Sequence, residues 1–142
     1  MNNTHFHEAA HAVVALSYGA RVSRLAIGNG SVDGLRYSGV TTFHAGALPK
    51  NRQAEIFPAG PVAEKLLDSY WNVNEVKNDY ERAAALLGEA DPKPIVEQCR
   101  RRVYNLWPEI ARLAEALLQL KVMDEGRIAR AARMPPLAWT TF

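Results

Sequence analysis

Apolar and polar positions alternate along this chain in two rhythms, and the changes between them lay out its elements. From His5 to Tyr18 the pattern is helical, and the run Ala12-Val13-Val14-Ala15-Leu16 is apolar enough to bury it. Asn3 or Thr4 can cap this helix, and Gly19 ends it as a C′ residue. Val22 to Ile27 alternates and reads as a strand. Leu35 to Phe43 is rich in β-formers and reads as a second strand, interrupted at Gly39. Gly28-Asn29-Gly30-Ser31 and Asp33-Gly34 between them are turn material.

Lys50 to Phe57 is helical up to Pro58, and Pro61 suits the first position of a helix from Val62 to about Ser69. Tyr70 to Val76 carries no period and is expected to be irregular. Asn78-Asp79 opens the next helix, with Ala83, Ala84, Leu86 and Leu87 behind it. After the break at Asp91-Pro92-Lys93-Pro94, a stripe of Ile95, Val96, Cys99, Val103 and Leu106 marks another, punctuated at Trp107-Pro108. Ile110, Leu113, Ala114, Leu117 and Leu118 repeat at i, i+3, i+4, i+7, i+8, the signature of an amphipathic helix. Asp124 can cap a last helix, Glu125 to Arg133, which Met134-Pro135-Pro136 ends. The tail Leu137 to Phe142 is apolar, so it packs back onto the domain or meets a partner. The expected fold is α+β and mainly helical: one helix beside a small β-sheet, followed by a bundle of helices.

Composition narrows this further. The 142 residues suit one domain, residues 1–142, with no linker or internal repeat. No apolar run approaches the ~20 residues that cross a bilayer, which argues against a membrane. Met1-Asn2-Asn3-Thr4-His5 lacks the basic and apolar regions of a signal peptide. Cys99 is the lone cysteine, so no disulfide staples the chain and the cytoplasm is the expected location. A net charge of +2 is too small to argue for nucleic acid. Arg100-Arg101-Arg102, the densest basic run, is expected on the wet face of a helix.

Candidate chemistry sits on the first helix. His7-Glu8-Ala9-Ala10-His11 has the form H-E-x-x-H. On a helix, His7 and His11 lie one turn apart on one face, where two imidazoles can close on a metal ion and Glu8 can hold a water. Zn2+ suits imidazole ligands and hydrolysis without redox chemistry. Glu8 would take a proton from the attacking water and pass it to the leaving amine. A catalytic zinc needs a third protein ligand, and Asp79 and Glu64 are the candidates, Asp79 first. From pattern alone Asp79 is better explained as an N-cap. His5 faces away from the pair, and His44 lies just past the second strand, where it is solvated or reaches substrate or metal. The two strands either form a hairpin that covers the helix or offer an edge to an extended peptide.

The motifs go beyond H-E-x-x-H. Thr4-His5-Phe6-His7-Glu8-Ala9-Ala10-His11-Ala12 resembles the T-A-Y-H-E-A-G-H-A segment of the FtsH-type peptidase domain, the zinc protease half of membrane-bound AAA proteases. Val22 to Ile27 with Gly39-Val40-Thr41 resembles its strand and G-V-T segment, and Ala59-Gly60-Pro61-Val62-Ala63-Glu64 its A-G-x-x-A-E helix. Asn78-Asp79 with Ala83 and Ala84 resembles its N-D-x-x-x-A segment, and Asp124-Glu125-Gly126 its acid-glycine turn.

The resemblance implies zinc ligands at His7, His11 and Asp79, a catalytic base at Glu8, and substrate held along Gly39, Val40 and Thr41. It implies a zinc endopeptidase acting on peptides or unfolded proteins. Ala10 departs from the family's glycine, and no G-x-x-x-x-G-K-[ST] is present, so activity by itself would be ATP-independent. A homo-oligomer or a separate unfoldase is the expected partner. The rival readings are a non-catalytic binding or regulatory domain that keeps the protease fold, and a helical adaptor that uses the C-terminal helices and tail.

Overall fold

The structure is a computed structural model that describes residues 3–32, 35–67 and 73–133. Its central element is α1 (Thr4–Ser17), buried at every residue from His7 to Ser17. Alanines at 9, 10, 12 and 15 let neighbours close in around it on several sides. Asn3 occupies the N-cap position without a side-chain cap bond. At the other end Gly19 takes φ 85°, its N–H bonds the Leu16 carbonyl, and the Ala20 N–H reaches back to Ala15. This is the Schellman closure that the position of Gly19 predicts.

The chain then forms an antiparallel pair, β1 (Arg21–Val32) and β2 (Leu35–His44). A third strand, β3 (Val122–Asp124), pairs with the other side of β1, giving the order β2-β1-β3. Leu25 thus faces Thr41 on one side and Met123 on the other, and both Leu25 and Met123 are fully buried. Among the described residues β2 is an outer strand, so it is the edge beside α1.

The helices are α2 (Lys50–Ile56), α3 (Ala59–Leu67), α4 (Val73–Leu86), α5 (Lys93–Asn105), α6 (Trp107–Leu120) and α7 (Glu125–Ala132). With the small antiparallel sheet they make the mainly helical α+β fold that the pattern predicts. α3 and α6 pack on α1, and Ile110, Leu113, Ala114 and Leu117 of α6 enter the core. Leu118, the fifth member of the predicted stripe, is 44% exposed at the stripe's margin. Asp124 caps α7 by accepting from the Arg127 N–H at 2.9 Å.

Several details differ from the sequence pattern, beginning with the strands: Gly28 to Ser31, expected as turn material, continues β1, and β2 runs through Gly39 without interruption because Gly39 stays paired with Ile27. β3 was not predicted, because three residues are too few for an alternation to register. Val73 to Val76 is helical rather than irregular, since α4 begins at Val73. Further along the helix, Ala83 packs with Ala54 of α2. Pro61 is the third residue of α3, still in the first turn, where its missing N–H leaves no bond unmade. Arg100 and Arg101 do face water, but Arg102 turns inward to Glu55 at 3.4 Å.

The predicted Asp33-Gly34 turn, the Met134-Pro135-Pro136 stop and the Leu137–Phe142 tail lie outside the described residues. Among the described residues no helix is long and apolar enough to cross a membrane.

Candidate metal centre

The helical spacing of His7 and His11 brings their Nε2 atoms to 3.1 Å. Each ring is fixed through its other nitrogen. His11 Nδ1 donates to the carbonyl of Ile56, the last residue of α2, at 2.8 Å. His7 Nδ1 lies 2.5 Å from Glu64 Oε1 on α3. A carbonyl and a carboxylate only accept, so both Nδ1 atoms carry hydrogen and both Nε2 atoms point at the same space. Two bare lone pairs that close would repel, so either a proton shared between the rings or a metal ion has to lie between them.

Asp79 supplies the third donor. Its Oδ2 is 3.8 Å from His7 Nε2 and 3.8 Å from His11 Nε2. Ligand atoms of His7, His11 and Asp79 fall within 4.8 Å of one another. Imidazole nitrogens about 2.0 Å from a tetrahedral zinc stand about 3.3 Å apart, close to the separation seen here. Because α4 begins at Val73, Asp79 lies in its second turn and is not an N-cap. Glu64, the other candidate ligand, is turned to the Nδ1 side of His7. That is the place of a carboxylate that orients a ligating imidazole.

A second test of fit comes from Gly60. A Cβ on this glycine would stand 2.6 Å from His11 Nε2 and 2.6 Å from His7 Nε2. The missing side chain therefore leaves a hollow against both lone pairs. Donor set, separation and hollow all suit a zinc ion held by His7, His11 and Asp79.

Electrostatics point the same way. Burial disfavours charge on His7, but the Glu64 hydrogen bond and the Glu8, Glu64 and Asp79 carboxylates outweigh it and raise its pKa to about 9. Burial and the neighbouring His7 lower His11 to about 4. Burial raises Asp79 to about 6, against the pull of His7 and Arg82. Three carboxylates around two imidazoles give the pocket a deficit of positive charge that a cation would fill.

Glu8 is buried on the next face of α1. The Thr41 hydroxyl donates to its Oε1 at 2.7 Å and lies 3.1 Å from its backbone oxygen. Gly39 provides the room, since a Cβ there would come 2.8 Å from Glu8 Oε2 and 2.5 Å from Thr4 Cγ2. Gly39, Val40 and Thr41 form one wall of a cleft of about 280 Å³ that also exposes His7, Glu8, His11 and Asp79. The cleft continues to Phe43, Phe57 and Arg82. His44 is not part of it; its Nε2 lies 3.2 Å from Ser23 Oγ. His5 packs on the Phe6 ring, away from the site.

The supports of the site extend one layer further. Glu55, only 1% exposed, accepts from the Tyr18 hydroxyl and pairs with Arg102 at 3.4 Å. These bonds tie the end of α2 to α1 and α5, and so hold the neighbouring Ile56 carbonyl under His11. The Ile56 carbonyl, the hollow at Gly60 and the position of Arg82 were not anticipated as site features. Only Arg82 carried a signal, being one turn from Asp79 on the same helix face.

Glu64→Ala is expected to weaken zinc binding about 10- to 100-fold by freeing the His7 ring, and Glu64→Gln, which keeps an acceptor, by less. Competition against a chromogenic chelator measures both. Equal affinity in all three proteins would remove Glu64 from the site.

Compared with protein-family models and with curated proteins, the chain matches none.

Proposed function

We propose that this chain is a zinc-dependent endopeptidase of the FtsH-like type, acting on peptides or unfolded chains. The observation that carries the reading is the set of three donors, from α1 and α4, converging at one cleft with Glu8 beside them. A bound zinc ion supplies a Lewis acid for the scissile carbonyl and the attacking water. His7, His11 and Asp79 hold it, while Glu64 and the Ile56 carbonyl keep both rings aimed. Glu8, fixed by Thr41, accepts the proton of the water and returns it to the leaving amine. The outer strand β2 lies along the cleft at Gly39, Val40 and Thr41. An extended peptide adds there by main-chain hydrogen bonds, which require no particular side chain. Such binding selects unfolded chains, because a folded one has few free strands to offer. The lone, buried Cys99 suits a reducing compartment such as the cytoplasm.

The test is zinc content followed by cleavage. Purified protein offered zinc at neutral pH is expected to hold about one ion per chain, and His11→Ala none, by elemental analysis. The loaded protein is then expected to cut an unfolded polypeptide, to stop when a chelator is added and to resume with zinc. A parent that takes up no zinc overturns the reading in favour of a metal-free binding domain. A zinc-loaded parent that cuts nothing leaves the protease-fold binding domain.

A further inference from the structure

The cleft does not end at the metal ligands. One helical turn beyond Asp79, Arg82 lines the same cleft, with its guanidinium carbon 6.0 Å from the centre of the Phe57 ring. Phe43 lies beside Phe57, ring centres 6.1 Å apart. This end of the cleft therefore joins an apolar aromatic surface to a positive charge.

Some arginines of the fold have found carboxylates: Arg21 pairs with Glu125 at 2.9 Å, Arg100 with Glu97 at 2.6 Å, and Arg102 with Glu55 at 3.4 Å. Arg82 forms no such pair among the described residues. Asp79, whose titration it influences, turns its Oδ2 toward the histidines. The guanidinium is exposed and planar, and it presents a fork of N–H donors that matches a carboxylate. Resting on Phe57 limits its freedom, so less entropy is lost when a ligand is bound.

From these observations we infer that Arg82 is a specificity residue of the cleft, taking a carboxylate of the bound peptide while Phe43 and Phe57 take an adjacent apolar side chain. The inference rests on the peptide-binding reading of this cleft. The carboxylate belongs to a residue seated at the Arg82 end of the cleft. It is either an Asp or Glu side chain or the free C-terminus of the peptide, and the two sources share the same chemistry at Arg82.

Binding, rather than cleavage, separates this inference from the peptidase reading. Four hexapeptides with a common apolar core and a neutral dye are titrated by fluorescence anisotropy: with Glu or Gln beside the core, and with a free or amidated C-terminus. Parent, Arg82→Gln and Arg82→Glu are compared, metal-free and zinc-loaded. The parent is expected to bind a carboxylate-bearing peptide about 10-fold tighter than the neutral one. Arg82→Gln is expected to bring that ratio to about one, and Arg82→Glu to invert it, so that the neutral peptide binds tighter than the carboxylate-bearing one.

A preference that survives amidation assigns the carboxylate to a side chain; one that needs the free end makes the cleft a reader of C-termini. No preference in the parent, a preference that persists in Arg82→Gln, or no binding of any peptide overturns the inference. A parent that discriminates but cuts none of the peptides keeps Arg82 and loses the peptidase. A parent that cuts without discriminating does the reverse. An Arg82 that merely steadied Asp79 would change zinc affinity and leave the peptide ratio untouched.

Discussion

Glu8→Gln is expected to lower peptide hydrolysis by about 10²- to 10⁴-fold while zinc content stays at the parent's level. That loss corresponds to about 3 to 5 kcal/mol of barrier, the contribution of a well-placed general base. Glutamine is the informative replacement because it keeps the shape and one acceptor. The Thr41 hydroxyl, 2.7 Å from Glu8 Oε1, can still donate to the amide oxygen, so the side chain stays in place beneath Gly39. The amide has no basic oxygen to take the proton of water. His7, His11 and Asp79 are untouched, and metal binding is not expected to follow activity down. Side-by-side elemental analysis and initial rates on an unfolded substrate make the measurement. Retained cleavage in Glu8→Gln would remove Glu8 from proton transfer. Joint loss of zinc and activity would make Glu8 part of the metal site instead.

Much of the fold was legible where a pattern was long. The buried run of α1, its stop at Gly19 and the stripe of α6 each rest on several residues that agree, and the structure follows them closely. The short elements were not legible. β3 is held in the sheet by its partners Arg24, Leu25 and Ala26, which its own three residues cannot announce. The start of α4 at Val73 was not legible either, because Tyr70 to Val76 carries no helical period of its own.

The candidate site divides in the same way. His7, Glu8 and His11 are local, and a helical spacing was enough to place them together. Asp79 comes from another helix; its local pattern pointed to a cap, and the resemblance alone singled it out as a ligand. The structure puts it beside the two Nε2 atoms. Glu64 was weighed as a ligand, and only the approach of α3 to α1 reveals that it meets Nδ1 of His7 instead. Backbone groups are least legible of all. The Ile56 carbonyl that fixes His11 could belong to any residue, and its role follows from where α2 ends.

Gly60→Ala carries the other large expected effect, and its sign runs against helix propensity. Gly60 is the second residue of α3, and alanine in a helix is favoured over glycine by up to about 1 kcal/mol. Space decides otherwise. The new methyl would stand 2.6 Å from His11 Nε2 and from both Cδ2 and Nε2 of His7, well inside van der Waals contact. Neither ring can swing away without breaking its bond to Ile56 or Glu64, and both rings are buried. The strain of such overpacking costs about 1 to 3 kcal/mol, enough to outweigh the propensity gain. The variant is thus expected to unfold at lower denaturant than the metal-free parent. Its zinc affinity is expected to fall about 100-fold or more, since the methyl fills the hollow in front of both lone pairs.

Gly126→Ala in α7 is the control. A Cβ there meets its nearest atom, a guanidinium nitrogen of Arg130, at 3.5 Å, an ordinary contact. That variant is expected to match the parent in zinc binding and to equal or slightly exceed it in stability. Denaturant unfolding of the metal-free proteins and zinc competition on the same samples report the two quantities separately. If Gly60→Ala binds zinc as tightly as the parent, the ion does not lie in the hollow between α1 and α3. The donors of His7, His11 and Asp79 would then have to converge elsewhere.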